Sequence, residues 1–141
     1  MDIKEEGFFK ELLNIFKIET QEHIQAMRTG IRDLDASQGT DRQLEVAEAV
    51  HRAAHSLKGA ARTIGLSDVE PICQSLETFF GILKRQKVSL PPDLIQMLNR
   101  SVQNLETLLN TLNAEGRVTG DKTEITRLIE EIQYKVSALA K

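Results

Sequence analysis

The sequence predicts an all-α fold, an antiparallel up-and-down four-helix bundle with a fifth helix packed against it. Aromatic residues make up only 4% of the chain, which has 3 prolines and many Leu, Ile, Glu, Gln and Lys residues, a composition that favours helices over strands. Apolar residues recur every three or four positions along five segments, and short polar loops separate these segments. Helices with one apolar stripe each can bury their stripes only against one another. The 141 residues, 40% of them apolar, are expected to form one domain over residues 1–141.

The first two helices are predicted at about residues 5–36 and 42–64. In the first, the apolar positions fall mostly three or four apart, with one skipped turn at Thr20: Phe9, Leu13, Phe16, Ile24, Met27, Ile31 and Leu34. Turn-forming residues from 36 to 41 end this helix. The second helix carries an inner stripe with steps of three or four throughout: Leu44, Ala47, Val50, Ala54, Leu57, Ala61 and Ile64.

The other three helices are predicted at about residues 68–85, 93–113 and 121–140. Gly65 suits the left-handed residue that closes a helix, and Ser67 to Glu70 match a capping box that begins the next one. Pro71 is tolerated in that first turn. The third inner stripe is Val69, Ile72 or Cys73, Leu76, Phe79 or Phe80, and Leu83; the fourth is Leu94, Leu98, Val102, Leu105, Leu109 and Leu112; the fifth is Ile125, Leu128, Ile132, Val136 and Leu139.

Composition and charge exclude several classes of function. A net charge of −3 argues against a surface that neutralises phosphate backbones, so we expect no nucleic-acid partner. Cys73 is the only cysteine, which excludes an internal disulfide and a multi-thiolate metal site. No apolar run approaches the roughly 18 residues of a membrane span, and the N-terminus does not resemble a signal peptide. We expect a cytoplasmic protein that does not contact a membrane.

Beside the inner stripe of the second helix, a row displaced by about 100° contains His51, His55, Lys58 and Arg62. Side chains in this row should lie at the edge of the core, half in water. A neutral imidazole, with a reference pKa of about 6.5, can attack phosphorus without a separate base. Lys58 and Arg62 follow on the same face and could balance the charge of a phosphoryl group on His55. Gly59, without a side chain, leaves room for that group and for a docking partner.

The third helix has a matching edge row of Glu70, Gln74, Glu77 and Gly81. If this helix packs antiparallel beside the second one, Glu77 or Gln74 can accept the ring N–H of His55. That hydrogen bond would fix the tautomer and leave the other ring nitrogen free to react.

Other interpretations of these residues remain open at this point. A histidine at a helix edge is most often structural, and a helical adaptor or dimerisation bundle would need no chemistry, although it would have no evident reason to keep Gly59. His51 and His55 have the spacing of a metal-binding pair, but the glutamate of the H-E-x-x-H pattern is absent and Lys58 would repel a cation. No phosphate-binding loop and no serine placed for a catalytic triad accompany His55, so any phosphoryl donor must bring its own ATP.

Residues 55–61, His-Ser-Leu-Lys-Gly-Ala-Ala, followed by Ile-Gly-Leu at 64–66, resemble the phosphorylation motif of histidine phosphotransfer (HPt) domains. The similarity is strongest to the N-terminal phosphotransfer domain of CheA-type chemotaxis histidine kinases. Residues 52–54 lead into the histidine as they do in that family. Residues 74–77 and 83–85 resemble the region of its third helix, and residues 90–93 resemble its entry to the fourth helix.

The resemblance implies a five-helix, monomeric domain in which His55 accepts a phosphoryl group from the ATP-binding domain of a histidine kinase and passes it to an aspartate of a response-regulator receiver domain. It implies that Lys58 and Gly59 are motif partners of His55 and that Glu77 hydrogen-bonds its ring. ATP and Mg²⁺ would be bound by the separate kinase module, with no cofactor in this domain, which would be a phosphoryl carrier within a protein-histidine kinase.

Two positions depart from the family pattern. Gln74 stands where the chemotaxis domains commonly have a second histidine, and His51 stands where the family often has an aromatic residue. A start at Met1 and an end after the fifth helix suit an N-terminal segment of a chemotaxis kinase. A segment of a hybrid kinase and a free-standing shuttle remain alternatives.

Overall fold

A computed structural model describes residues 3–85 and 89–139, and the side chains of Ile3, Val136 and Leu139 are outside that description. The described chain contains five helices: α1 (Ile3–Ala36), α2 (Asp41–Thr63), α3 (Glu70–Leu83), α4 (Pro92–Leu109) and α5 (Thr123–Leu139). The predicted all-α class and the order of the helices are confirmed. The predicted end of the fifth helix at residue 140, the inward direction of Val136 and Leu139, and the domain limits at residues 1 and 141 fall outside the described residues.

The five helices enclose one hydrophobic core. Contacts join α1 to α2, α2 to α3, α3 to α5, α5 to α4 and α4 back to α1. The chain therefore runs up and down through α1 to α4, and α5 lies between α3 and α4. Ion pairs and hydrogen bonds fix its direction, because Lys122 contacts Asp68 near the start of α3 and Gln133 bonds to Ser75 further along it. Thus α5 runs in the same direction as α3.

The predicted inner stripes are largely buried. Exceptions are Phe9 in α1 and the two end positions of the α2 stripe, Leu44 and Ile64, which are half-buried. Both alternatives at each ambiguous position of α3 are buried. A wide buried face is needed there because α3 packs against both α2 and α5.

The α2–α3 connection confirms one sequence prediction and corrects another. Gly65 has a φ of +79°, and the amide of Leu66 bonds back to the carbonyl of Ala61 in the Schellman arrangement. The predicted capping box at Ser67 is wrong. Because Leu66 turns into the core, its carbonyl accepts the amides of Val69 and Glu70, and α3 begins at Glu70 without a side-chain cap.

The predicted end of α4 at residue 113 is also wrong, since the helix ends at Leu109. The side-chain oxygen of Asn113 accepts the amides of Glu115 and Arg117, which stabilises a turn in place of another helical turn. Leu112 nevertheless remains buried and pairs with Val118 across this turn, so the apolar period continues beyond the helix. None of the helices in the described ranges is long and apolar enough to cross a membrane.

Candidate functional site

The candidate site lies where the edge of α2 meets the edge of α3. Burial of the α2 stripe turns His55 and Lys58 toward α3, whose own stripe turns Gln74 and Glu77 toward α2. The two edges pair in antiparallel order: His55 contacts Glu77, Lys58 contacts both Glu77 and Gln74, and the next pair along is Arg62 with Glu70. The antiparallel packing on which the sequence argument depended is therefore present.

His55 is held on one side and open on the other. Its Nδ1 lies 2.9 Å from Glu77 Oε1, while 64% of its side chain is exposed. An ionised carboxylate can only accept hydrogen bonds, so Nδ1 carries the proton and donates it to Glu77. Nε2 is then the unprotonated nitrogen of the neutral ring. This arrangement provides an oriented and accessible nucleophile.

Glu77 is the centre of the site. Its side chain is only 14% exposed, and Lys58 Nζ lies 2.6 Å from its Oε2. Burial raises the pKa of Glu77, but the hydrogen bonds and charges of Lys58 and His55 outweigh burial, and the pKa lies below its ordinary value. The carboxylate is therefore ionised at neutral pH and can hold the Nδ1 proton of His55.

Lys58 lies deeper than the sequence indicated, with 12% of its side chain exposed. Besides its ion pair with Glu77, its ammonium donates a 3.0 Å hydrogen bond to Gln74 Oε1. Gln74 is fixed in turn by a 3.1 Å hydrogen bond from its Nε2 to Thr78 Oγ1. The expectation that the whole α2 row lies half in water is thus wrong for Lys58, because two acceptors on α3 draw its ammonium inward.

His51 takes a different position from His55. It is half-buried, and its ring packs over Gly81. A Cβ at position 81 would lie 3.5 Å from His51 Cδ2, which is ordinary van der Waals contact. Burial, and next the charge of Lys84, lower the pKa of His51 although the carboxylates of Glu77 and Glu48 oppose them. His51 is therefore a neutral, packed ring beside the site.

Two other groups bear on the site chemistry. A Cβ added at Gly59 would meet no atom within 4 Å apart from the helix's own backbone, so packing within the domain does not require this glycine. Burial, reinforced by the charges of Glu70 and Glu77, raises the pKa of the Cys73 thiol to about 12, which removes it as a competing nucleophile. In the described part of the chain, no group of three or more His, Cys, Asp or Glu side chains could hold a metal ion.

A family model of the Hpt domain matches residues 11–134. The chain belongs to the Hpt domain family. The family predicted from residues 52–93 is thereby confirmed, and the match extends over all five helices of this Hpt domain.

Relatives of this Hpt domain include much longer proteins. The chemotaxis protein CheA of Rhizobium meliloti is 29% identical over 123 residues, which are 87% of this chain and 16% of that protein. The chemotaxis protein CheA of Bacillus subtilis is 26% identical over 120 residues, 85% of this chain and 17% of that protein. The chain thus spans less than a fifth of the length of these relatives.

A solved structure supports the same fold. The phosphorylated P1 domain of CheA3, in complex with CheY6 from R. sphaeroides, superposes with a TM-score of 0.76 at 21% sequence identity. The similarity covers 92% of this chain and 98% of that one. The predicted helical-bundle fold is confirmed.

Three residues around the site in this Hpt domain received no role from sequence reasoning. Thr78 fixes Gln74, Gly81 leaves room for the His51 ring, and Lys84 lowers the pKa of His51. The i, i+4 spacing of Gln74 and Thr78 could have indicated the first contact. The contacts of Gly81 and Lys84 with His51 depend on which residues of α2 and α3 lie opposite each other. The spacing of residues within one helix does not indicate this.

Proposed function

We propose that this Hpt domain carries a phosphoryl group on His55, which it receives from ATP bound to a histidine-kinase domain and passes to an aspartate of a response-regulator receiver domain. The observation that carries the proposal is the contact of His55 Nδ1 with Glu77, a carboxylate itself held by Lys58. It supports a ring with one proton, a fixed orientation and one open nitrogen.

In the proposed first step, the lone pair of Nε2 attacks the γ-phosphorus of ATP. A N–P bond forms, the bond from phosphorus to the bridging oxygen breaks, and ADP leaves with that electron pair. No proton has to leave the ring, because Nε2 carries none, and the positive charge that develops on the imidazole is stabilised by Glu77. In the second step an aspartate oxygen attacks phosphorus, the N–P bond breaks, and Nε2 regains its lone pair.

Lys58 and Gly59 have supporting roles in this proposal. Lys58 keeps Glu77 ionised and in place. Gly59 leaves the surface one turn beyond His55 open to a partner domain. His51 and Gln74 support the site from either side, and Arg62 is paired with Glu70 further along the groove.

The open surface at Gly59 also favours phosphotransfer over a purely structural adaptor. An exposed glycine in a helix interior destabilises the helix by roughly 0.5–1 kcal/mol relative to alanine. Packing within the domain does not require Gly59, so access for a partner is the physical reason that fits.

We further propose that the chain is the N-terminal phosphotransfer domain, residues 1–141, of a cytoplasmic chemotaxis kinase of the CheA type. The CheA relatives match over nearly the whole chain, and the similar solved structure is a P1 domain in complex with CheY6. In this proposal the domain is monomeric, a separate kinase domain binds ATP and Mg²⁺, and the receiver domain is the phosphoryl acceptor.

The test is phosphorylation of the domain by ATP and the catalytic core of a CheA-type kinase. Wild-type protein should gain phosphate that is labile in acid and stable in alkali, as expected for phosphohistidine. His55→Gln should gain none, whereas His51→Gln and the α1 control His23→Gln should still be labelled. Addition of a receiver domain should then remove the label from the wild type. Phosphate that persists on His55→Gln would refute the assignment.

A further inference from the structure

The first half of α1 has an apolar face that is exposed among the described residues. Phe8 and Ile18 are each 64% exposed, and Ile15 is 52% exposed. At about 100° per residue, Phe8 and Ile15 lie within about 20° of each other around the helix. Leu12, one turn after Phe8, is half-buried beside them. Three of the large exposed apolar side chains of this domain are thus gathered along about 15 Å of one helix.

The face is uncovered because α1 is longer than its neighbour α2. Gly30 packs against Val50, and from Val50 to the end of α2 at Thr63 is about 20 Å of helix. From Gly30 back to the start of α1 is about 40 Å. The N-terminal 20 Å or so of α1 therefore extends beyond the end of α2. On the opposite flank, the turn at Gly116 closes on Phe9, so that only one side of the extension is covered.

The same face is acidic. Three exposed glutamates lie beside the apolar residues and form no ion pair with any residue of the described ranges: Glu11, Glu19 and Glu22. Acidic side chains on the other helices are commonly paired, as Glu70, Glu77 and Glu106 are. These three unpaired glutamates lie on the part of α1 where the apolar residues are exposed.

The lysines of this segment have a different distribution. Lys10 and Lys17 lie on the far side of α1, along the groove that α1 forms with Ala114 and Glu115. Lys4 alone among them is on the apolar side, one turn before Phe8. The exposed face thus has a negative balance of charge.

Charge complementarity decides among the possible occupants of this face. In a second copy paired antiparallel about Ile15, Glu11 of one chain would lie opposite Glu19 of the other, and these like charges would repel. Anionic lipid headgroups would be repelled in the same way. A helix with an apolar stripe flanked by lysines or arginines would satisfy both features at once.

We propose that the face of α1 from Phe8 to Glu22 docks a basic amphipathic helix of a partner protein. The partner helix has apolar residues at i, i+3 or i+4, and i+7 to contact Phe8, Ile15 and Ile18, with basic residues on both sides to pair with the glutamates. His55 lies about 140° around α2 from Val50, which packs against α1, and its ring contacts Glu77 on α3, so a helix docked on the face of α1 leaves the imidazole open. The proposal does not depend on phosphotransfer.

The test uses a fluorescein-labelled 18-residue peptide of lysine and leucine with a helical period, and a scrambled peptide of the same composition. Binding to the domain is measured by fluorescence anisotropy at two salt concentrations. Phe8→Ser with Ile15→Ser, and separately Glu11→Lys with Glu22→Lys, should each weaken binding by about tenfold or more. The matched surface variants Tyr134→Ser and Glu130→Lys on α5 should bind as the wild type does.

Three results would overturn the proposal. One is equal affinity for the scrambled peptide, and another is equal loss of binding in the α5 variants. The third is sedimentation as a dimer that Ile15→Ser converts to a monomer, which would assign the face to a second copy. Helical content by circular dichroism checks that the variants fold. Phosphorylation of His55 in the α1 variants should equal that of the wild type, so failure here is distinct from failure of the phosphotransfer proposal.

Discussion

Replacement of Glu77 by alanine removes the carboxylate that contacts both His55 and Lys58. The His55 ring loses the acceptor of its Nδ1 proton, so both tautomers become accessible and the ring can rotate. Lys58 loses its ion-pair partner and keeps only the hydrogen bond to Gln74. The variant therefore tests orientation of the nucleophile and support of a nearly buried ammonium at the same time.

The expected size of each effect follows from exposure. A hydrogen bond to a charged group contributes about 1.5–3 kcal/mol, and the lower end applies because the His55 side chain is 64% exposed to competing water. About 1.4 kcal/mol corresponds to a tenfold slower phosphorylation. The Lys58–Glu77 pair, with side chains 12% and 14% exposed, lies between a surface pair and a buried one, so its loss should cost about 1–2 kcal/mol of unfolding free energy.

The assay is single-turnover phosphorylation at saturating kinase domain, together with urea unfolding of each variant. Glu77→Gln keeps an acceptor for His55 but removes the charge, so its rate should lie between those of the wild type and Glu77→Ala. Glu70→Ala is the matched control, because Glu70 is also a carboxylate on the α3 edge and pairs with Arg62. Wild-type rates for Glu77→Ala, or an equal loss in Glu70→Ala, would refute the role of Glu77.

The difference in unfolding free energy between the wild type and Glu77→Gln should depend on pH with a definite sign. The pKa of Glu77 is lowered in the folded protein, so its contribution to stability is present above the ordinary glutamate value of 4.5 and is lost as the pH falls through the folded pKa. The unfolding free energy of the wild type minus that of Glu77→Gln should therefore be largest near neutral pH and shrink below about pH 4.5. A difference that grew in acid would contradict the lowered pKa.

Substitutions at Gly59, Gly30 and Thr20, with their controls, give three further tests. Gly59→Ala should raise the unfolding free energy by about 0.5–1 kcal/mol, and Gly7→Ala in α1 should do the same, because both glycines face open space. The bulkier Gly59→Gln should slow transfer to a receiver domain, whereas Gly7→Gln should not. Gly30→Ala should destabilise the domain by about 1–3 kcal/mol, because its Cβ would lie 2.1 Å from Val50 Cγ2, and Val50→Ala in the same chain should recover most of the loss in a urea titration. Thr20→Val should stabilise the domain by about 1 kcal/mol, because the buried Thr20 hydroxyl has no hydrogen-bond partner among the described residues; a lower thermal midpoint would count against this.

The helices and their buried faces were predictable because burial imposes a period of 3.6 residues on the sequence. Helix ends were less predictable, because they depend on competition among local hydrogen bonds. Ser67 has the spacing of a cap, yet the carbonyl of the buried Leu66 takes the amides that Ser67 would have bonded. The helix α4 ends before its apolar period does, because the side chain of Asn113 bonds the turn that follows.

The place of α5 could not be predicted, because an apolar stripe indicates which face is buried and not which helix covers it. Residues Ile125, Leu128 and Ile132 are buried as the stripe requires. The ion pair of Lys122 with Asp68 and that of Lys135 with Asp93 connect α5 to the start of α3 and to the start of α4. Such pairs join residues more than 40 positions apart, and no local pattern indicates them.

At the site, the sequence indicated which residues line the α2–α3 edge. Which of them contact each other depended on whether the two helices pack antiparallel. The spacing alone left both Glu77 and Gln74 as candidates to hold His55, because either could face it across the groove, and the resemblance to HPt domains favoured Glu77. The structure assigns Glu77 to His55 and Gln74 to Lys58. The assignment follows from the antiparallel packing, in which a step of three residues forward along α2 matches a step of three residues back along α3.

Gln74 has a consequence for the charge of the site. A histidine at this position would titrate within the physiological range and, when protonated, would repel the ammonium of Lys58. The amide of Gln74 does not titrate, and its hydrogen bond to Thr78 directs its oxygen toward Lys58 at every pH. With Glu77 ionised through that range, the charges that surround His55 change only if His51 gains a proton, and burial lowers the pKa of His51. The hydrogen bond that Gln74 provides to Lys58 therefore does not change with pH.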